Sequence, residues 1–124
     1  MNEIKKYDLE DRLVKFSVSV ISLTESLPDS VAGRYICGQI TRSCMAPALN
    51  YGEAKSAEST NDFVHKMKIS LKELRETFIS LKIIQEKPLT RKIELLESCM
   101  RECNELISIF VKSIKTAETN RNKK

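Results

Sequence analysis

The sequence predicts an all-α protein, an antiparallel up-and-down four-helix bundle with a proline-kinked second helix, on three observations. Apolar residues recur every three or four positions in four separate stretches, which places them on one face of a helix. No alternating run of β-branched residues bounded by a glycine turn indicates a strand. Short polar or proline-containing stretches separate the four repeats, so the helices bury their apolar faces most simply against one another.

The first two helices are bounded by recognisable start and stop signals. Apolar residues spaced 4, 3, 4, 3 and 4 run over residues 9–27, with Asp8 as a candidate N-cap and Pro28 as the stop. The second repeat covers residues 31–51. Pro47 lies inside it and removes a backbone donor, so we expect a kink or break just before this residue.

The third and fourth helices have the more regular repeats. The third begins after a cap near Ser59 to Asn61 and reaches about Glu86, where Lys87-Pro88 stops it. The fourth starts near Thr90 and carries the longest heptad pattern of the chain. The polar stretch 52–60 either extends the second helix or links it to the third.

Length and composition limit the number of domains and the classes of function. The 124 residues, 41% hydrophobic and 31% charged, fit one folded domain. We expect a bundle over residues 1–116 and a basic, flexible tail over 117–124. Three glycines argue against a glycine-rich phosphate loop, and an aromatic content of 6% argues against a base-stacking surface. With no export signal or membrane span apparent, we expect a cytoplasmic protein.

A second apolar stripe accompanies the first on three of the helices. It is either the wide buried face of an ordinary bundle helix or a subunit interface that makes the chain a homo-oligomer. The stripe consists of Val14, Val18, Ile21, Ile79, Ile83, Leu95, Cys99 and Leu106.

The candidate catalytic and metal-ligating residues do not form a recognisable site. The four cysteines, Cys37, Cys44, Cys99 and Cys103, lie on or beside apolar stripes and lack a Cys-x-x-Cys knuckle, so we interpret them as small buried hydrophobic residues. The single histidine, His65, cannot build the paired Glu-x-x-His motifs of a di-metal bundle. We therefore expect no metal, no cofactor and no enzymatic activity.

Basic residues on the third helix are the strongest candidate for a binding surface. The net charge is +4, and residues 60–124 carry fourteen basic against nine acidic side chains. A phosphate backbone is attracted to such a surface, although a solvated face of mixed charge, partly neutralised by Glu76 and Glu86, fits the pattern equally well. The row consists of Lys68, Lys72, Arg75 and Lys82, spaced 4, 3 and 7.

Three short motifs identify a family resemblance. They are Gln39-Ile40-Thr41-Arg42-Ser43, then Ala46-Pro47-Ala48-Leu49-Asn50-Tyr51-Gly52-Glu53-Ala54, then Ser70-Leu71-Lys72-Glu73-Leu74. In this order they resemble the bacterial four-helix-bundle proteins first found as reading frames within intervening sequences of 23S ribosomal RNA genes. The sequence departs from the family pattern at Tyr51-Gly52, which replaces Ile-Ala, and at Ala54, which replaces a glycine. The resemblance implies structural roles for five signature residues, Gln39, Arg42, Pro47, Asn50 and Glu53.

The resemblance implies more about fold and assembly than about function. Relatives are up-down bundles, and some form ring-like homopentamers. One relative, the accessory protein of diversity-generating retroelements, is a basic pentamer that associates with a reverse transcriptase and with nucleic acid. Two hypotheses follow: a non-catalytic oligomeric adaptor that binds RNA or DNA through the basic row, or a protein-interaction module with no nucleic-acid role.

Overall fold

A computed structural model describes residues 8–122 and confirms the four-helix bundle. The helices are α1 (Leu9–Thr24), α2 (Val31–Lys55), α3 (Thr60–Glu86) and α4 (Ile93–Asn122), and no strand occurs within residues 8–122. Each helix packs against the next one in the chain, and α1 also packs against α4. This closes an antiparallel up-and-down bundle around a single core.

Side-chain caps fix where three of the helices begin. The side chains of Asp8, Ser30 and Ser59 each accept a hydrogen bond from the backbone N–H three residues later, which satisfies one of the unpaired donors at a helix start. The first turn of α2 also requires a glycine. A Cβ atom at Gly33 would lie 2.0 Å from the carbonyl oxygen of Pro28, so no larger residue fits this close approach.

Two of the predicted helix ends shift by a few residues. The first helix ends at Thr24 and not at Leu27, because residues 25–27 form a turn whose backbone N–H groups bond three residues back. The fourth helix begins at Ile93. The hydroxyl of Thr90, where we expected the start, accepts the backbone N–H two residues later and forms a turn before the helix.

Helix α4 does not end near residue 116, where the periodic pattern ends, but continues without interruption to Asn122. Ala117 packs against the core, and the Nη1 atom of Arg121 donates to Oδ1 of Asn61 at 2.7 Å. These contacts hold the helix against α3 beyond the predicted end. Residues 123–124 of the expected basic tail lie outside the described residues.

Pro47 does not break the second helix, contrary to the break that we allowed for. The helix runs through this buried residue from Val31 to Lys55. Side chains of α1 and α3 donate hydrogen bonds to α2 backbone carbonyls at and just before the proline. Ser17 on α1 donates to the carbonyl oxygen of Cys44 at 2.9 Å, and Ser70 on α3 donates to that of Pro47 at 3.4 Å.

The second apolar stripe divides between the core and the surface. Cys99 and Leu106 are fully buried, as the wide-face interpretation predicts, while Ile21 and Leu95 are partly buried. The four exposed members, with 47–58% of their surface accessible, are Val14, Val18, Ile79 and Ile83. Of the eight stripe residues, these four leave the most apolar surface available to a partner. Across residues 8–122, the helices lack any stretch long and apolar enough to cross a membrane.

Candidate functional site

The outer surface between α3 and α4 contains an open groove of about 700 Å³, which we call the α3–α4 groove. Its floor is apolar and consists of Leu71, Ile79, Val111 and Ile114. Its charged residues are Lys68, Lys72, Arg75, Glu76, Lys115 and Glu118. The basic row predicted from the sequence therefore lies beside exposed apolar surface contributed by two helices.

Helical spacing explains how the groove is built. On α3, Lys68, Lys72 and Arg75 follow one another at intervals of four and three residues, which keeps them on one face. On α4, Val111 and Lys115 are four residues apart and share a face in the same way. Packing of the two helices against each other then brings these two faces together along one groove.

The charges of the groove are only partly neutralised. Lys68 forms an ion pair with Glu118 at 3.0 Å. Lys72, Arg75 and Lys115 have no carboxylate within 4 Å among residues 8–122. Three of the groove's cations are therefore available to an anionic group of a partner.

The ion pair that the spacing of Lys72 and Glu76 allowed does not form. Oε1 of Glu76 lies 3.4 Å from Nη2 of Arg42 on α2, so its carboxylate turns away from its own helix neighbour. The i, i+4 spacing would have allowed a pair within α3. The Arg42 guanidinium on the adjacent helix pairs with this carboxylate instead, and Lys72 has no carboxylate partner within residues 8–122.

The fourth member of the basic row, Lys82, lies outside the α3–α4 groove. Its Nζ atom is 5.9 Å from the centre of the Phe78 ring, a cation–π distance. It borders a shallow apolar patch with Ile79 and Ile83. The predicted basic row therefore includes three of the four groove cations. It does not include Lys115, because this residue lies on α4 and the periodicity of α3 cannot reveal it.

The opposite side of α3 faces α2 and is held by hydroxyl groups; we call it the α2–α3 seam. Ser43 and Thr77 share a hydrogen bond of 2.7 Å between their hydroxyl oxygens, and Thr77 also bonds the carbonyl oxygen of Glu73 at 2.9 Å. Ser70 donates to the carbonyl oxygen of Pro47. All of these side chains are buried. The seam is therefore a buried polar layer in which each of these hydroxyl groups has a hydrogen-bond partner.

Ion pairs border the α2–α3 seam and join two of the sequence motifs. Nη1 of Arg42 lies 3.3 Å from Oε1 of Glu73, whose side chain is only 12% exposed. Nζ of Lys66 lies 2.6 Å from Oε1 of Glu53. Arg42 and Glu53 thus hold α2 to α3, because each pairs with a residue across the seam.

The other signature residues have more local contacts. The side-chain amide of Asn50 donates to the carbonyl oxygen of Ala46 at 3.0 Å, one turn earlier in α2. This is not the carbonyl that Pro47 leaves without its backbone donor, which belongs to Ser43. Gln39 is exposed and has no side-chain hydrogen bond within residues 8–122.

Three of the four thiols are buried in the core. Burial raises the pKa of Cys44 and of Cys103 to about 12, and that of Cys99 to about 11, so all three remain protonated at neutral pH. Cys37 is partly buried and His65 is exposed. Within the described part of the chain, no group of three or more His, Cys, Asp or Glu residues is placed to hold a metal ion.

Fold and surface together define a small antiparallel helical bundle with an open apolar and cationic groove. The chain belongs to the 23S rRNA-intervening sequence protein family, whose model matches residues 5–112. It is similar to the crystal structure of a protein of unknown function from the S23 ribosomal protein family of Bacteroides thetaiotaomicron VPI-5482. The TM-score is 0.75 and the identity 31%, over 86% of this chain and 97% of that one. No curated protein matches the chain significantly.

Proposed function

We propose that the chain is a non-catalytic, homo-oligomeric adaptor that holds a protein partner in the α3–α4 groove. The observation that carries this proposal is the exposed apolar floor between cationic side chains. Ile79 is 55% exposed and Val111 is 39% exposed. Contiguous apolar surface edged by charged groups is typical of protein-binding sites, where arginine is also enriched.

The groove favours a protein partner over a nucleic acid. A phosphate backbone is bound through cations, whereas four of the ten residues that line the groove are apolar. None of the groove's lining residues is aromatic, so unstacked bases would find no ring to stack on. Binding of nucleic acid would also leave the apolar floor without a matching surface.

The proposal includes the absence of catalysis. The chemistry of the cysteine thiols and the names of the related proteins support this part. The buried thiols of Cys44, Cys99 and Cys103 are protonated and enclosed, whereas a nucleophile must be ionised and accessible. The name of the family and the description of the similar structure contain no enzymatic activity.

Exposed apolar residues on the other helices support homo-oligomerisation. Val14 and Val18 on α1 are 47% and 58% exposed, and Met45 and Leu49 on α2 are 37% and 69% exposed. These residues lie outside the α3–α4 groove. A pentamer is the assembly that the family resemblance suggests. Light scattering of the purified protein gives the molecular mass directly, and a strict monomer would contradict this part of the proposal.

A photocrosslinking amino acid at position 79 tests the adaptor function in the cells that express the protein. We expect an adduct of higher mass that survives nuclease treatment and contains a second polypeptide. The matched control is position 93, because Ile93 is also an exposed isoleucine, at 48%, outside the groove. Equal yields at positions 79 and 93 would contradict the proposal. A reverse transcriptase is the partner to look for first, on the strength of the resemblance.

A second candidate function is the binding of RNA or DNA. The exposed cations Lys72 and Arg75, which have no carboxylate partner in the described part of the chain, favour it. Fluorescence anisotropy with single-stranded and double-stranded oligonucleotides at rising salt tests it. True phosphate binding weakens steeply with salt and is lost when the basic row is changed to Glu. Protein that ignores both oligonucleotides at low salt would remove this candidate.

A further inference from the structure

We infer that the α3–α4 groove binds an amphipathic helix that carries acidic residues on both edges of its apolar stripe. This inference rests on the proposed adaptor function and specifies the chemistry of the partner. Two properties of the groove lead to it, its shape and the distribution of its unpaired charge.

The shape of the groove fits a third helix. Two antiparallel helices leave a lengthwise furrow between them, and a helix lies in such a furrow by placing side chains between the rows of its neighbours. Leu71 and Ile79 are eight residues apart on α3, which separates them by about 12 Å along the floor. A partner helix matches that distance with apolar residues at positions i, i+4 and i+8.

The charge of the groove selects an acidic partner. Lys72 and Arg75 stand on the α3 side and Lys115 on the α4 side, and none of them has a carboxylate partner within residues 8–122. The carboxylate of Glu118 is already engaged by Lys68. Both helices that form the groove therefore carry cations that have no carboxylate partner within residues 8–122, and a complementary helix carries Asp or Glu on both sides of its apolar stripe.

Selection from a displayed library of random 18-residue peptides tests this inference on the full-length protein. The library is selected against the wild-type protein, and the recovered peptides are synthesised and measured by fluorescence anisotropy. We expect peptides with an apolar stripe at helical spacing, flanked by Asp and Glu, that become helical when bound. Recovered peptides without acidic enrichment, or no recovered peptides, would overturn the inference.

Two pairs of variants locate the binding surface. Ile79→Asp should weaken binding of the selected peptide by about tenfold or more, whereas the control Ile93→Asp should leave it unchanged within about twofold. The double variant Lys72→Glu with Arg75→Glu should weaken binding by a similar factor. Its control is Arg91→Glu with Lys92→Glu, which makes the same change of charge outside the groove. Equal effects of a variant pair and its control would overturn the inference.

The same variants distinguish an acidic helix from other ligands of the groove. If Ile79→Asp converts an oligomer into a monomer, a second copy of the chain covers the groove and the inference is wrong. If a 20-nucleotide single-stranded RNA binds and its affinity falls with Lys72→Glu but not with Ile79→Asp, nucleic acid is the ligand and the inference is wrong. A crosslinked protein partner together with peptides that lack acidic residues would overturn this inference and leave the adaptor function standing.

Discussion

The two sides of α3 differ in how many of their side chains are buried and bonded to the rest of the protein. On the α2–α3 seam, buried hydroxyls bond one another or backbone carbonyls, and Arg42 reaches Glu73 across the interface. On the α3–α4 groove, Ile79 is half exposed and Lys72 has no carboxylate partner among residues 8–122. The seam therefore contributes to stability, and the groove retains exposed apolar and charged groups that are available to a partner.

The largest effect should come from the core between the two sides. Leu74 is completely buried, and its carbonyl oxygen accepts a hydrogen bond from the thiol of Cys103. Leu74→Asp places a carboxylate there without a partner, and we expect a loss of about 4 kcal/mol or more in the free energy of unfolding. Circular dichroism should show an unfolded protein. A folded and soluble variant would mean that the core is misplaced.

Alkaline pH should produce the next largest effect. The folded bundle raises the pKa of Cys44 and Cys103 to about 12 from an ordinary value of 9.0. The folded state therefore holds these protons more tightly than the unfolded state, so their contribution is complete below pH 9.0 and is lost as pH rises toward 12. At pH 10 we expect a loss of about 1 kcal/mol for each buried thiol.

Urea unfolding at pH 8 and pH 10 measures this loss. The Cys103→Ala variant serves as the control, because it lacks one of the titrating groups and should lose less stability between the two pH values than the wild type does. An identical pH dependence in the two proteins would contradict the assignment of the effect to the buried thiol.

The α2–α3 seam should show a smaller but coupled effect. Ser43→Ala and Thr77→Val each remove the hydroxyl bond between α2 and α3, and each should cost about 1 kcal/mol. The double variant should cost less than the sum, because the second change removes a bond that is already lost. Urea unfolding of the four proteins of this cycle gives the coupling, and strict additivity would show that the two hydroxyls do not interact.

The α3–α4 groove should show the smallest effect on stability. Ile79→Asp and Lys72→Glu alter exposed side chains, so the free energy of unfolding should change by no more than about 0.5 kcal/mol. Thermal unfolding of each variant checks this expectation. A loss as large as that of the seam variants would mean that the groove is part of the folding core and not a surface kept for recognition.

The sequence was sufficient to predict the helices but not how they face one another. The structure places the third helix's cap at Ser59, within the predicted range 59–61, and its end at Glu86 as predicted, because capping and periodicity are local properties. The continuation of α4 past residue 116 depends on contacts such as that between Arg121 and Asn61, which are sixty positions apart. Local polarity could not predict a helix end held in this way.

The candidate site was predicted only where it lies on a single helix. Lys68, Lys72 and Arg75 share one face of α3, which their spacing reveals. The position of Lys115 in the groove depends on the register between α3 and α4. The ion pair of Glu76 with Arg42, in place of one with Lys72, depends on the register between α2 and α3. Neither register is encoded in the periodicity of one helix.

Methyl-resolved NMR of the protein labelled at Ile, Leu and Val, titrated with the tightest selected peptide, tests the central claim most directly. We predict that the methyl signals of Ile79 and Val111 shift on binding, while those of Val14 and Val18 on α1 stay in place. Shifts centred on Val14 and Val18, with Ile79 and Val111 unchanged, would contradict the assignment of recognition to the α3–α4 groove.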